Sequence, residues 1–520
     1  MDVLFVDDVP SCSFFCFSST FPFSEGAGTF LSFLLDTNLS RNKEMSPVVL
    51  LKNNSYVVGY KNGGHVLYKD GEIAYQGNRV IYAGKKFAGK ADRIIDTHRG
   101  FVMPGLVNCH CHVAASPVEK GFLEDIGSRN FYGTSLYESL RVTHLNIEDQ
   151  EDVFRFSLSE ILKKGSTTIF ELGRATEPMI ETIAKSGIRA YVGPMARSCV
   201  FMTQDGKTVH YEWDEPEAFK RLQYTVDLHE KYSGKFGDRI HIALYPGQAD
   251  CVTPDFLKEV RKAADATGMR IQIHAAQSIN EIQVVMERHG MIPAQFLHEH
   301  GICGPDTLYS HYIMPCGSTL NGLRIDNELE LIANDGTTVV NCPWVYGRRG
   351  FILESFYKYR KLGINLAIGT DSFPQDMVHE MRAAAIFGKI AEYDTWKCTA
   401  ADVFNAATLG GAKALGREDI GRLCEGSKAD IVVMSTQNME FMPLRDPIKV
   451  LVYTADSHNI DKVIVDGKML VDDGELLGIE EKELYSHVQA AGEHMWENVA
   501  KRDWKGRSHD EMSPMSFPVE

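Results

Sequence analysis

Two histidines separated by one residue, His110 and His112, stand at the end of the apolar run Gly100–His112. On an extended chain alternate side chains share a face, so both imidazoles point one way and Cys109 and Cys111 the other. Two imidazoles on one face can share a metal ion. Further candidates end other apolar runs: His274 after Ile271-Gln-Ile, His311 after Leu308-Tyr-Ser, and Asp371 after Ile368-Gly-Thr. A strand-end histidine alone is more often a packed or surface residue than a ligand. Four histidines and one carboxylate sharing that placement by chance is implausible, and the joint pattern points to a metal-assisted reaction.

The elements that must position these groups are short apolar runs alternating with helical patterns, the signature of repeated βα units. Candidate strands are 102–112, 167–172, 190–194, 240–245, 270–274, 307–311, 337–341 and 365–370. Helical patterns between and after them cover 149–164, 216–232, 254–266, 280–289, 377–393 and 400–415. Eight strands match a (β/α)8 TIM barrel, in which functional residues sit at the carboxyl ends of the strands. Either side of this centre the pattern turns β-rich. Runs from Val48 to Tyr82 are split by Asn-Gly-Gly, Asp-Gly and Gly-Asn turns. Ala429–Met434, Lys449–Tyr453 and Val463–Val471 read as their companions. The expected organisation is α/β. Residues 45–103 and 416–475 form the two parts of a small β-sandwich, and 104–415 form the barrel. Residues 476–520 form a C-terminal helix, over 480–500, and a disordered tail. Residues 1–44 read as an extension or as sequence ahead of a true start at Met45; Asp2, Asp7 and Asp8 stand where a secretion signal would be basic.

The order Pro-Gly-Leu-Val-Asn-x-His-x-His, His-Ala-Ala, the strand-six histidine and Gly-Thr-Asp resembles the amidohydrolase superfamily. The later Ile420-Gly-Arg-Leu-Cys-Glu-Gly-Ser-Lys-Ala-Asp-Ile-Val-Val resembles the superfamily's return to its β-sandwich. The nearest branch holds cytosine deaminases, S-adenosylhomocysteine-type deaminases and triazine chlorohydrolases. The resemblance implies one divalent metal, zinc first with iron or cobalt as alternatives, on His110, His112, His274 and Asp371. It implies that His311 polarises substrate or water and that Asp371 moves the proton. The fourth strand carries no lysine of the kind that bridges two metals, which favours a mononuclear site. A metal of this kind lowers the pKa of a bound water towards ~7, which suits attack on an sp² carbon.

One position departs from the deaminase pattern. Three residues after the strand-five histidine those enzymes carry glutamate, and this chain carries Gln277. An amide donates and accepts hydrogen bonds but transfers no proton at neutral pH. The first expectation is therefore hydrolysis of a C–N bond in an amide, urea or (thio)carbamate, with Gln277 beside Asp371 and His311. The alternative is a deaminase or dechlorinase acting on a nucleobase or triazine ring. A barrel that has lost catalysis is the third reading, set against the intact ligand set. Phe131, Tyr132, Tyr137, Trp344 and Tyr346 are the candidate substrate aromatics, with ordinary packing as the competing role of each.

Other features carry less. His298-Glu-His300 repeats the His-x-His spacing but ends a helical segment, where the dipole suits imidazoles. Arg348 and Arg349 read first as solvated loop, and Glu171 as either a salt bridge or a pocket group. Net charge of −16 argues against nucleic acid and anionic membrane, and no apolar run reaches bilayer length. Eleven scattered cysteines without a CxxC pair suit a reducing, cytoplasmic compartment. A small-molecule substrate is expected, and the resemblance adds a homo-oligomer.

Overall fold

Gly105 divides what reads in sequence as one strand. Phe101–Pro104 pairs antiparallel with Ile431–Met434 and parallel with Tyr56 and Val57, whereas Leu106–Cys111 pairs parallel with Ser166–Gly173. A side chain at the switch would collide: a Cβ on Gly105 would lie 2.0 Å from Thr167 Oγ1. The chain therefore changes sheets where only glycine fits. These features come from a computed structural model that describes residues 46–520 apart from 115, 133 and 174. The extension expected over 1–44 lies outside the described residues.

Eight parallel strands form the centre. Leu106–Cys111, Ser166–Gly173, Arg189–Pro194 and Ile240–Ile242 make one four-stranded sheet, and Ile271–Ala275, Thr307–His311, Thr338–Asn341 and Leu366–Ile368 make another. They are numbered first to eighth below. The sheets meet at both edges. Leu244 N–H donates to Arg270 O at 2.8 Å, and Gln272 N–H to Leu244 O at 2.9 Å. On the other side Asp371 N–H donates to His110 O at 2.9 Å, and His112 N–H to Asp371 O at 2.6 Å. Every residue of the first, fifth and sixth strands is buried, as parallel strands covered on both faces must be. The connecting helices carry their own punctuation. Asp214, Thr253 and Ser278 cap helix starts by accepting the backbone N–H three residues on, and Gly268 and Gly290 end helices in the left-handed conformation.

A seven-stranded and a four-stranded sheet are built from residues on either side of this centre. Val49, Leu51, Ile73 and Val80 from one share a core with Val57, Val102, Ile431, Val433 and Ile464 from the other. The companion strand expected at Lys449–Tyr453 is instead part of the helix Pro447–Tyr453. Asp446 accepts the N–H groups of Ile448 and Lys449, and Pro447 opens the first turn, so capping overrides the β-branched run.

The helix Glu481–Glu497 forms as expected, but the tail is not disordered. His509–Met512 is helical, and Met512 is buried with Val118, Val142 and Val153. Trp504 and Arg507 both donate to Glu138 at 3.1 Å. The nine described cysteines are all free thiols, and no described helix is long and apolar enough to cross a membrane.

Candidate active site

The side chains that end the first, fifth, sixth and eighth strands meet. One oxygen of Asp371 lies 3.6 Å from His110 Nε2 and 3.4 Å from His112 Nε2, and the other lies 3.8 Å from His311 Nε2. The rings of His110, His112, His274 and His311 stand 4.9–5.6 Å apart between centroids in the pairs that touch. Ligand atoms of His110, His274 and His311 fall within 4.8 Å of one another, and so do those of His110, His112 and Asp371. His311 is thus as close to the centre as the other three imidazoles. His110, His274 and His311 are buried, while His112 is 32% and Asp371 14% exposed in their side chains. The cluster therefore opens to solvent along the His112–Asp371 side.

Three of the rings are held from behind. His112 Nδ1 bonds Leu172 O at 2.6 Å, His274 Nδ1 bonds Gly247 O at 3.2 Å, and His110 Nδ1 meets Ser310 Oγ at 3.1 Å. A carbonyl only accepts, so His112 and His274 carry their proton on Nδ1 and turn an Nε2 lone pair inward. Burial first, with the neighbouring imidazoles, pushes the His274 and His311 pKa well below the ordinary range and lowers that of His110, against the opposing pull of Asp371. Burial opposes charge on Asp371, yet the His110 ring 3.6 Å away and the fields of His311 and His112 hold it well below the usual carboxylate range. Neutral imidazoles around an ionised carboxylate are the protonation states that a divalent cation requires. His110 Nε2 is buried and has no hydrogen-bond partner among the described residues, which a cation would supply. The residues present fit a metal.

Backbone strain marks the same positions. His311 (φ 75°) and Asp371 (φ 57°) are non-glycine residues in the left-handed region. Such residues cost on the order of 1–3 kcal/mol each and persist where surrounding structure imposes them.

Beside the cluster lies a narrow cleft, with Tyr346 as the shared wall; its ring meets His311 edge-on at 4.8 Å. Phe131, Tyr132, Tyr346, Gln277, Met314 and Phe351 are among its lining residues. Two aromatics expected there stand elsewhere. Tyr137 is buried behind the pocket with its hydroxyl 2.9 Å from Ser278 Oγ, and Trp344 stacks on His379. Arg349, read first as solvated loop, lines the pocket, and Arg348 pairs with Glu124 at 3.2 Å. Glu171 makes no ion pair among the described residues. It accepts the Val113 N–H at 2.8 Å, and burial raises its pKa to about 8.

Gln277 is fixed at both ends of its amide. Tyr346 hydroxyl donates to its Oε1 at 3.0 Å, and its Nε2 donates to Gln248 Oε1 at 2.9 Å. Gln248 Nε2 donates to Asp250 Oδ1 at 2.5 Å, and Tyr211 hydroxyl donates to Asp250 Oδ2 at 2.6 Å. Gln248 escaped the sequence reading, which stopped at Tyr245; Gly247-Gln248 directly past the fourth strand was the available signal.

Residues 101–470 match the Amidohydrolase family. The chain belongs to the amidohydrolase family. Within it, a 5'-deoxyadenosine deaminase from Methanothermobacter thermautotrophicus is 28% identical over 432 residues, covering 82% of this chain and 94% of the relative. Among solved structures, an adenosine deaminase from Xanthomonas campestris with bound zinc superposes with TM-score 0.75 at 24% identity, covering 86% of this chain and 98% of that one. A triazine hydrolase from Arthrobacter aurescens gives TM-score 0.75 at 21% identity, covering 86% and 100%. This amidohydrolase is thus a hydrolytic enzyme, and its deaminase relative acts on a C–N bond other than a peptide bond. The deaminase relative matches the ring-directed alternative better than the amide, urea or carbamate reading placed first on the sequence.

Proposed function

We propose that this amidohydrolase is a mononuclear metal-dependent hydrolase that displaces a leaving group from an sp² carbon of a small nitrogen heterocycle, in a (β/α)8 barrel flanked by a β-sandwich. The observation that carries this is the set of inward-turned Nε2 atoms of His110, His112 and His274 around ionised Asp371. These four residues would hold one divalent cation, with zinc suited to three imidazoles and a carboxylate. Bound there, such a cation supplies Lewis acidity and an activated water. Asp371 accepts the proton of the attacking water and returns it to the departing group. His311, neutral and buried, hydrogen-bonds the substituent where charge develops. The aromatic walls of Phe131, Tyr132, Tyr346 and Phe351 suit a flat ring.

Gln277 refines the substrate class. Each amide atom is engaged once and keeps one further hydrogen-bonding position. It can orient a ring nitrogen but cannot protonate it. Leaving groups that depart without ring protonation, such as halide or alkylthio, are therefore favoured over ammonia. The test compares 6-chloropurine riboside, adenosine and an aryl urea with the metal-loaded protein. The chloro compound is expected to turn over at least about tenfold faster than adenosine, the scale of one general-acid contribution being 10²–10⁴. Turnover of the urea alone would sink the ring reading and restore the amide, urea or carbamate alternative, which Gln277 supports.

A further inference from the structure

At the opposite end of the parallel strands, three potential ligands of a different kind converge. His298 lies in the last turn of the helix Pro293–Glu299, Cys303 in the loop leading into the sixth strand, and Asp335 at the end of the helix Glu328–Asp335 before the seventh. These residues precede the sixth and seventh strands, and the cluster described above lies at the carboxyl ends of the parallel strands, so the two sets are separated by the strand length. His298 Nδ1 lies 3.0 and 3.1 Å from the Asp335 oxygens and 3.9 Å from Cys303 Sγ. One ligand atom from each residue falls within 4.8 Å of the other two.

This is not the geometry of an activated thiol. A relay needs the carboxylate on one ring nitrogen and the sulfur on the other. Here both approach Nδ1, so the ring cannot take a proton from one while being held by the other. It does match a shared cation. With Zn–N, Zn–O and Zn–S bonds of about 2.0–2.3 Å, tetrahedral edges are about 3.4 Å for N···O and about 3.6 Å for S···N. The 3.0 Å and 3.9 Å separations need only small rotations to reach these values, and the His298 side chain is exposed. Arg261, whose charge reaches Cys303, is already committed, paired with Asp265 and Asp306 at 2.7 Å each.

We propose that His298, Cys303 and Asp335 form a second metal site for a borderline-soft divalent cation of the zinc and cobalt class, with solvent in the fourth position. Thiolate and imidazole select that class over magnesium and calcium. A thiol binds such a cation as thiolate, so binding replaces a proton with metal. The occupied site clamps the ends of two helices at the start of the sixth and seventh strands. It is structural in kind and independent of the substrate reading.

The test is a cobalt titration of the protein as purified, with its first metal in place. The expected result is one further equivalent bound, with a near-ultraviolet thiolate-to-cobalt charge-transfer band that the all-nitrogen-and-oxygen cluster cannot give. Cys303→Ser is expected to abolish the band and His298→Ala to weaken binding of that equivalent at least about tenfold, while both keep the first metal. No band in the unmodified protein, or a band that survives Cys303→Ser, overturns the proposal. Because Cys303 and His298 are solvent-reached, both variants are expected to fold, and retained binding of the first metal verifies it.

Discussion

Exchanging Gln277 for glutamate swaps one nitrogen for oxygen at constant shape, and the surrounding bonds set the consequence. Gln277 Nε2 now donates to Gln248 Oε1; after the exchange two acceptors face each other at 2.9 Å. Gln248 cannot simply turn over, because its own Nε2 serves Asp250 Oδ1 and the turned amide would set an oxygen against that carboxylate. Gln248, Asp250 and Gln277 are all buried, so water does not relieve the conflict. A buried acceptor left without a donor costs about 1–3 kcal/mol, and Gln277→Glu is expected to lose that much stability. Adding Asp250→Asn supplies the missing donor. Its amide can donate to a turned Gln248 while still accepting from Tyr211, and Gln248 then donates to the new carboxylate. The double variant is expected to recover most of the loss, giving a favourable coupling of about 1–2 kcal/mol. The assay is the urea unfolding midpoint of the unmodified protein, both single variants and the double, with ammonia release from adenosine measured on each. Ammonia release is expected to be greatest in the double variant, where the carboxyl group is held rather than repelled. Stability changes that simply add, within about 0.3–0.5 kcal/mol, would refute this account of the relay.

Ser310→Ala removes the group behind His110 Nδ1 and is expected to weaken metal retention or activity by about 10–100-fold, read by competition with a chelator. Gly369→Ala would place a Cβ 2.6 Å from His110 Cβ and 2.8 Å from its backbone nitrogen. Overpacking against backbone costs at least about 1–3 kcal/mol, and a thermal unfolding scan should show it as a lowered midpoint with loss of bound metal. Asp419 gives a pH signature: burial opposes its charge, but the bonds and fields of Arg417 and Arg79 outweigh this and lower its pKa to about 2. A depressed carboxylate contributes stability above its unfolded value of 3.8 and loses it as pH falls through about 2. Asp419→Asn should therefore cost about 1 kcal/mol near neutrality, after allowance for solvent screening, and only a small fraction of that at pH 2, by unfolding at both pH values.

The metal-ligand candidates were legible because strand alternation and strand ends are properties of local sequence. Four histidines and an aspartate spaced from His110 to Asp371 needed no contact information once each was seen to close an apolar run. Where the reading failed, non-local or capping forces decided. Lys449–Tyr453 looks β-rich, and only Asp446-Pro447 signals the helix. The tail looks polar, and one methionine, Met512, anchors it. Tyr137 and Trp344 carry the right chemistry on the right loops, but Tyr137 is buried behind the wall residue Ser278 and the Trp344 ring stacks on His379. The relay through Gln248 and Asp250 joins residues that no periodicity links.

The strand Phe101–Pro104 sits inside the seven-stranded sheet, with Tyr56–Lys61 on one side and Ile431–Met434 on the other. During synthesis its first neighbour emerges before it, but its second emerges roughly 330 residues later. At about 5–20 residues per second the ribosome leaves that apolar edge bare for tens of seconds. An unpaired edge invites strands from other chains. Overproduction without a chaperone to shield the nascent sheet should therefore yield aggregates seeded by the amino-terminal part, and slowing translation should worsen rather than relieve them.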